Sequence, residues 1–323
     1  MSNVLNNADR PVHPRTRDRV LAAARYLNYH PNAMARSLTG RRLDTIGVHF
    51  GAIEAEVITN PYASLVLQGI LTTASQRGYN VTLLTKRWQS ARESAAAFRD
   101  RRADGYILVA PPLDSDIVDG LAGMGVHLVV VSSQAGPVRV PFVDVDNAAG
   151  LRLATEHVIA LGHRRIAHMS GDDQQPSVAG RREGFCAAMA AAGLPVRPEY
   201  MVTSQYIVEE SMTDARALLT LPNRPTAIVT GSDHIAHGIL KVAHELGIAV
   251  PEQLSVTGFD DLPSATLVEP PMTTVRQPLV EIGRRAAQML LEQIEDAKSP
   301  TNYLAEPTLV VRGSTAPPPA TCR

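Results

Sequence analysis

The chain has 323 residues, 45% of them apolar and only 4% aromatic, with two cysteines and a formal net charge of -1. That length and apolar content furnish two or three compact units whose cores must be aliphatic and Ala-rich. Cys186 and Cys322 form neither a disulfide framework nor a metal site, which suits a reducing cytoplasm; no apolar run reaches membrane length, and the polar start after Met1 does not read as a secretory leader.

The charge is unevenly distributed. Residues 1–44 hold eight arginines, at positions 10, 15, 17, 19, 25, 36, 41 and 42, against Asp9, Asp18 and Asp44, a net of +5, so the remainder carries -6. A basic patch at one end of a slightly acidic chain is the footprint of phosphate-backbone binding, although a solvated helix face explains charge alone equally well.

In chain order, Pro14 suits a first helical position, and Val20, Ala24 and Leu27 recur at three-to-four-residue spacing, which predicts a helix over Arg15 to Leu27. The run Asn28 to Pro31 ends it, because the residue before a proline is pushed out of helical geometry. Asn32 then caps a second helix that reaches Leu38 before Gly40 stops it. A helix under two turns long is marginal in water, so this one is expected to order only against a partner. Leu38 beside Arg36 suggests that partner: an apolar wedge between base steps of a minor groove with a cation along its wall. Packing of Leu38 on the following domain is the structural alternative.

From residue 45 onward, strand-length β-branched runs alternate with helical stretches. Thr45 to Phe50, Tyr79 to Leu84, Gly105 to Val109 and Val126 to Val131 read as strands, the first three each followed by a helix-compatible segment. The pattern restarts after Asp146, with strands at Arg165 to Ser170, Thr226 to Thr230 and Leu254 to Phe259, and helices at Asn147 to Leu161, Arg181 to Ala192, Ser211 to Leu219 and Asp233 to Leu246. Two successive α/β lobes with parallel sheets imply a ligand cleft beyond the carboxyl ends of their strands. A helix from Leu279 to Asp296 and a strand from Tyr303 to Val311 are placed to cross back, and the Pro-rich stretch from Gly313 reads as disordered.

Several segments together resemble the lactose-repressor/galactose-repressor (LacI/GalR) family of bacterial transcriptional regulators. They are TRDRVLAAARYLNYHPNAMARSL (16–38) followed by IGV, then DNAAG (146–150), HVIALGHRRIAHMSG (157–171), GRREGF (180–185), GSDHIAHG (231–238), VPEQLSVTGFDDL (250–262) and PPMTTVRQP (270–278). The resemblance implies a two-lobe sensor like a periplasmic binding protein, two doubly wound parallel sheets, preceded by an α-helical DNA-binding headpiece that here is partial. The family's recognition helix ends in a pattern like TVSxVLN, whereas this chain opens MSNVLNN, so the resemblance implies that the first helix, the turn and the start of the reading helix precede Met1. A start placed roughly twenty residues late is the favoured reading; a truly truncated chain that cannot read an operator is the alternative. The boundaries expected are 1–31 for the headpiece, 32–44 for hinge helix and linker, 45–145 with 277–302 for the first lobe, 146–276 with 303–312 for the second, and 313–323 for the tail.

Site residues follow from the same resemblance. Asn3 lies at the tail of the reading helix; Asn6, Thr16, Tyr29 and Asn32 match positions that hold the DNA backbone; Arg36 and Leu38 match the minor-groove hinge pair. His13 replaces the usual Ser or Thr helix cap. In the cleft, Tyr62 follows Asn60 and Pro61 where an aromatic pair is common, with Ala63 in place of the second ring. Arg181 matches the effector-contacting arginine and Asp260 the effector-contacting aspartate, while Gln175, Ser177, Tyr206 and Asp233 align less closely with the pocket wall. For those four, ordinary loop polarity is an equal alternative, and helix capping alone accounts for Asp146.

No GxGxxG or GxxxxGK[ST] follows a strand, and His234, His237 and His244-Glu245 do not form HExxH. The expectation is therefore a cytoplasmic repressor, not an enzyme, with no cofactor or metal. It binds a palindromic operator as a homodimer and is controlled by a small metabolite, a sugar or nucleoside-like molecule. The alternatives are a two-lobe binding protein without DNA-binding activity and an α/β enzyme with its active site in the cleft.

Overall fold

The fold is taken from a computed structural model that describes residues 4, 12–27, 42–51, 57–99, 102–134, 140–296 and 301–320. Its elements in chain order begin with α1 (Pro14–Tyr26), β1 (Thr45–Phe50), α2 (Pro61–Gln76), β2 (Asn80–Leu83), α3 (Ala91–Arg99), β3 (Gly105–Val109), α4 (Ile117–Gly123), β4 (His127–Val131) and β5 (Phe142–Val145). They continue with α5 (Asn147–Ala160), β6 (Ile166–Ser170), α6 (Pro176–Ala191), β7 (Met201–Thr203), α7 (Val208–Leu219), β8 (Ala227–Thr230), α8 (Asp233–Glu245), β9 (Ser255–Asp260), β10 (Thr273–Arg276), α9 (Leu279–Asp296), β11 (Tyr303–Ala305) and β12 (Thr308–Val310).

The strands form two six-stranded sheets, in the orders β11-β5-β4-β3-β1-β2 and β12-β10-β9-β8-β6-β7. Every pairing is parallel except β10 with β12. Helices cover both faces, which explains why the central strands read as unbroken apolar runs. In β3, Ile107 and Val109 pack with Val66 and Ile70 of α2 and with α9, whereas Tyr106 and Leu108 pack with Phe98, Ile117 and Leu121 on the opposite face. In the second lobe Val256 of β9 faces Leu218 and Ile239, and Phe259 faces Leu151 and Phe185. One apolar cluster runs through both lobes, from Ile46 to Phe259, so the lobes share a core at their junction.

The chain crosses between lobes three times, at 145–146, at 276–277 and at 306–307. The third crossing corrects the sequence reading. The expected strand Tyr303–Val311 is divided at Glu306-Pro307: β11 pairs with β5 in the first sheet and β12 with β10 in the second. Pro307 lacks the N–H that a continuous ladder needs. Residues 303–305 thus belong to the first lobe, not the second. The tail expectation is corrected as well. Ser314 is fully buried, its Oγ donates to Val256 O (2.6 Å) and accepts from Thr273 N (2.8 Å), and Ala316 N donates to Ser255 Oγ (3.0 Å). His163 Nε2 lies 2.8 Å from Ala316 O. These bonds order 313–316 despite its composition. Helices α6 and α7 also begin earlier than expected, at Pro176 and Val208.

Helices α2 and α9 cross at a reciprocal pair of glycines. A Cβ on Gly69 would collide with the carbonyl of Val280, and one on Gly283 with the carbonyl of Val66. Because backbone cannot yield as a side-chain tip does, Gly69→Ala and Gly283→Ala are each expected to cost about 1–3 kcal/mol, read from the urea midpoint.

The linker is anchored to the first lobe. Asp104 accepts from Leu43 N (2.9 and 3.0 Å) and Thr45 N (3.3 Å), and Arg42 donates to the carbonyls of Ile294 (2.8 Å) and Glu295 (3.1 Å) at the end of α9. That places a cation at the negative end of a helix. In α1, His13 occupies the N-cap and makes no side-chain cap bond, and Val20, Leu21 and Ala24 are half-buried while Leu27 is exposed.

Candidate effector cleft

The site lies where strand ends of both lobes meet near the crossings, and its backbone is unusual. Among the described residues, four of the five non-glycine positions with positive φ sit there: Ala110 after β3 (47°), Ser132 after β4 (57°), and Asp260 and Asp261 at the end of β9 (125° and 58°). Left-handed backbone costs about 1–3 kcal/mol per residue and persists only where surrounding contacts impose it, which is common at ligand sites. The contacts that impose it are visible. Arg276 and Arg312 each hold Asp261 at 2.6 Å, Gln277 Nε2 donates to Asp260 Oδ1 at 2.6 Å, and Asp233 Oδ2 accepts from Leu262 N at 2.7 Å.

Tyr62 enters from the first lobe on the first turn of α2, a helix started by Asn60, whose side chain accepts from Ala63 N (3.2 Å). Its hydroxyl is hydrogen-bonded to Ser132 Oγ, and burial pushes its ionisation further up.

Arg181 stands at the centre. It projects from α6, is only 5% exposed, and lies over the ring of Phe259 at 3.8 Å. Its Nε donates to Asn147 Oδ1 (2.8 Å) and its Nη1 to Gly231 O, which uses two of the five guanidinium donors. Asn147 in turn donates to both oxygens of Asp144 (3.4 and 3.3 Å), whose Oδ1 also accepts from Val145 N (2.8 Å). Burial pushes the carboxyl of Asp144 up to about 6 and that of Asp260 up to about 6, with Arg181 opposing the shift in both.

The remaining sequence candidates separate by environment. Gln175 is the backbone N-cap of α6, without a side-chain cap bond, and Ser177 lies one helical turn before Arg181 on the same face. The Tyr206 hydroxyl is shielded from solvent beside Ser177, and the pair falls short of a hydrogen bond. Asp233 is fully buried and both of its oxygens are engaged inside the second lobe, by Thr274 Oγ1 (2.6 Å) and Leu262 N. Asp146 caps α5 by accepting from Ala149 N (2.8 Å), as capping alone required. Of the DNA-contact candidates, Thr16 is exposed in the first turn of α1; Asn3, Asn6, Tyr29, Asn32, Arg36 and Leu38 lie outside the described residues.

Asp144, Asn147, Ser132 and Gln277 were not singled out from the sequence. Asn147 and Gln277 sit inside segments that carry the family resemblance, DNAAG and VRQP, and their place at two of the lobe crossings was the available signal. Asp144 carries none, since an acidic residue in a short strand looks like surface. Among the described residues no cluster of three or more His, Cys, Asp or Glu is arranged to hold a metal ion, and no helix is long and apolar enough to cross a membrane.

The two-lobe α/β architecture agrees with the comparisons. Residues 155–315 match the periplasmic binding protein-like domain. Over 97% of its length the chain is 31% identical to the HTH-type transcriptional repressor PurR of Photobacterium profundum, covering 93% of that protein. The chain belongs to the LacI/GalR family of transcriptional regulators. Solved family structures superpose closely: a complex of the transcriptional regulator CelR with cellobiose has a TM-score of 0.80 at 30% identity, covering 97% of this chain and 94% of that one. A LacI family regulator from Mycobacterium smegmatis has a TM-score of 0.74 at 31% identity, covering 84% of this chain and 99% of its own. Membership extends over α1, the linker and both lobes, so the basic first segment is part of a family DNA-binding regulator and not an unrelated charged arm.

Proposed function

We propose that this chain is a metabolite-controlled repressor that binds a pseudo-palindromic operator as a homodimer in the cytoplasm. Effector binding in the cleft changes the lobe angle and so orders or melts the hinge segment 32–39. The observation that carries the effector half of this reading is the convergence of Tyr62, Arg181 and Asp260 from three separate elements on strained strand ends.

The polarity of the cleft favours a neutral ligand. Arg181 is already bound to Asn147 and Gly231 and outnumbered by Asp144 and Asp260, so an anionic ligand would meet more negative charge than positive. A polyol offers hydroxyls that donate to the carboxylates and accept from the remaining guanidinium N–H groups. Cellobiose in the CelR complex is a ligand of this class. Gln175, Ser177 and Tyr206 complete the wall, and Asp233 contributes by holding the β9 turn in place.

For the DNA half, Asn3, Asn6, Thr16, Tyr29 and Asn32 position the headpiece on phosphates and bases, and Arg36 with Leu38 opens the minor groove at the operator centre. A filter or gel retention assay on DNA from beside its own gene is expected to show binding that weakens steeply with salt. Leu38→Ala is expected to weaken it by about tenfold or more through loss of the wedge. Absence of salt-dependent retention, with the headpiece encoded in full, would sink the regulator reading.

A further inference from the structure

The crossings join the two lobes toward one edge of each sheet, after β5 in the first lobe and after β10 in the second. The loops that follow β3 and β6 lie two and three strands further along their sheets, about 10 and 14 Å away at the usual spacing between strands. There the lobes meet again. Leu113 N donates to Gln174 O across the cleft (2.9 Å). Leu113 is 59% exposed and Gln174 is exposed as well, so the contact is made by backbone and not by buried side chains.

Both partners are braced from behind. In the first lobe, Ser115 N donates to Pro112 O (3.2 Å) and closes a turn with Leu113 at its second position. Asp116 follows the turn and accepts from Trp88 Nε1 (2.6 Å) and Ala91 N (3.0 Å), while Pro111 and Pro112 before it pack so closely on Gly51 that a Cβ there would lie 2.8 Å from each. In the second lobe, Asp172 accepts from Gln174 N through Oδ1 (3.0 Å) and from Gln175 N through its carbonyl (2.9 Å), which fixes the loop that presents Gln174 O. Gln175 heads α6, and Arg181 stands about 9 Å further along that helix. The interlobe bond and the effector arginine therefore move with one helix.

We infer that this bond is a latch that holds the lobes closed from outside the effector site. The inference rests on the reading of the cleft as the effector site, and adds a determinant of affinity that touches no effector atom. A rotation of roughly 10° about the crossings carries points about 10–14 Å away through about 2 Å, which takes the 2.9 Å contact beyond hydrogen-bonding range. The bond is thus made in the closed arrangement and lost in the open one. One such bond changes the ratio of closed to open chains by about two- to tenfold, and effector affinity scales with the fraction that is closed.

Leu113→Pro tests the latch directly, because proline lacks the N–H and its fixed φ is favoured at the second position of such a turn. Leu113→Ala keeps the N–H, loses only an exposed side chain, and serves as the control. The full chains are compared by small-angle scattering and by calorimetric titration with ribose, glucose and cellobiose. Leu113→Pro is expected to have a larger radius of gyration and to bind whichever sugar the parent binds about two- to tenfold more weakly, while Leu113→Ala stays within about twofold of the parent. In the parent itself, NMR is expected to show the Leu113 amide exchanging with solvent at least about tenfold more slowly than an unstructured amide. Unchanged scattering and affinity in Leu113→Pro, an equal loss in Leu113→Ala, or an unprotected Leu113 amide overturns the latch and leaves the effector site standing. Binding of none of the three sugars by the parent overturns the polyol reading instead, and scattering with amide exchange then decides the latch.

Discussion

Arg181→Ala is expected to abolish effector binding and to lower stability at neutral pH. Arg181 touches α5 through Asn147, the β8–α8 turn through Gly231 O, and the ring of Phe259 on β9. Its removal forfeits two charge-assisted hydrogen bonds and leaves Asp144 and Asp260 without the cation that opposes their upward shift. Bonds of that kind contribute about 1.5–3 kcal/mol each, so an affinity loss of about a hundredfold or more and a stability loss of about 2–4 kcal/mol are the expected scale. Arg181→Lys keeps the charge but not the planar fork, and is expected to recover part of the stability with little of the affinity. Calorimetric titration with whichever sugar binds the parent chain, beside urea denaturation, reads both. Undiminished affinity in Arg181→Ala would show that the effector lies elsewhere.

The second large effect is on pH. The carboxyls of Asp144 and Asp260 are raised to about 6 in the folded chain, against an ordinary value of about 3.9 when unfolded. The folded chain therefore binds these protons more tightly than the unfolded one. Stability is accordingly expected to fall as pH rises from about 4 to about 6, and to level off above, with one such carboxylate contributing about 2–3 kcal/mol. Burial of Asp233 acts in the same direction. Effector affinity runs the opposite way, rising with pH through about 6, because only the ionised carboxylates are full acceptors for ligand hydroxyls. Asp260→Asn separates the two effects. The amide oxygen still accepts from Gln277, so the variant is expected to gain about 1–2 kcal/mol over the parent at pH 7.5, to match it near pH 4, and to bind effector about tenfold more weakly. Urea titrations at both pH values decide it: an Asn variant less stable than the parent at pH 7.5 would mean that the buried charge is held better than its burial implies.

Much of the architecture was legible because it rests on local signals. Strand-length runs rich in β-branched and other apolar residues marked β1, β3 and β9, since both faces of a parallel sheet are covered, and the capping residues Asn60, Asp146 and Ser232 lie where α2, α5 and α8 begin. The short strands β5, β7 and β10 were not found. The Pro-rich composition of the tail outweighed the one feature that orders it, a serine able to bridge Val256 and Thr273. Tyr62, Arg181 and Asp260 were reached through the family resemblance, and local spacing alone would have left them as a helix aromatic, a helix cation and a loop acid.

The amino-acid sequence by itself determined the α/β alternation, the division into a basic first segment and two lobes, and the family. Each depends on composition or on neighbours a few residues apart. Only the tertiary structure decided which polar groups share the cleft and in what electrical state. Arg181 reaches Asn147 and Gly231 across 34 and 50 residues of chain, and Gln277 reaches Asp260 across 17. Such pairings leave no periodic trace in the sequence. The raised carboxyls of Asp144 and Asp260 are likewise consequences of burial, which arises only when two sheets and their helices close over the strand ends.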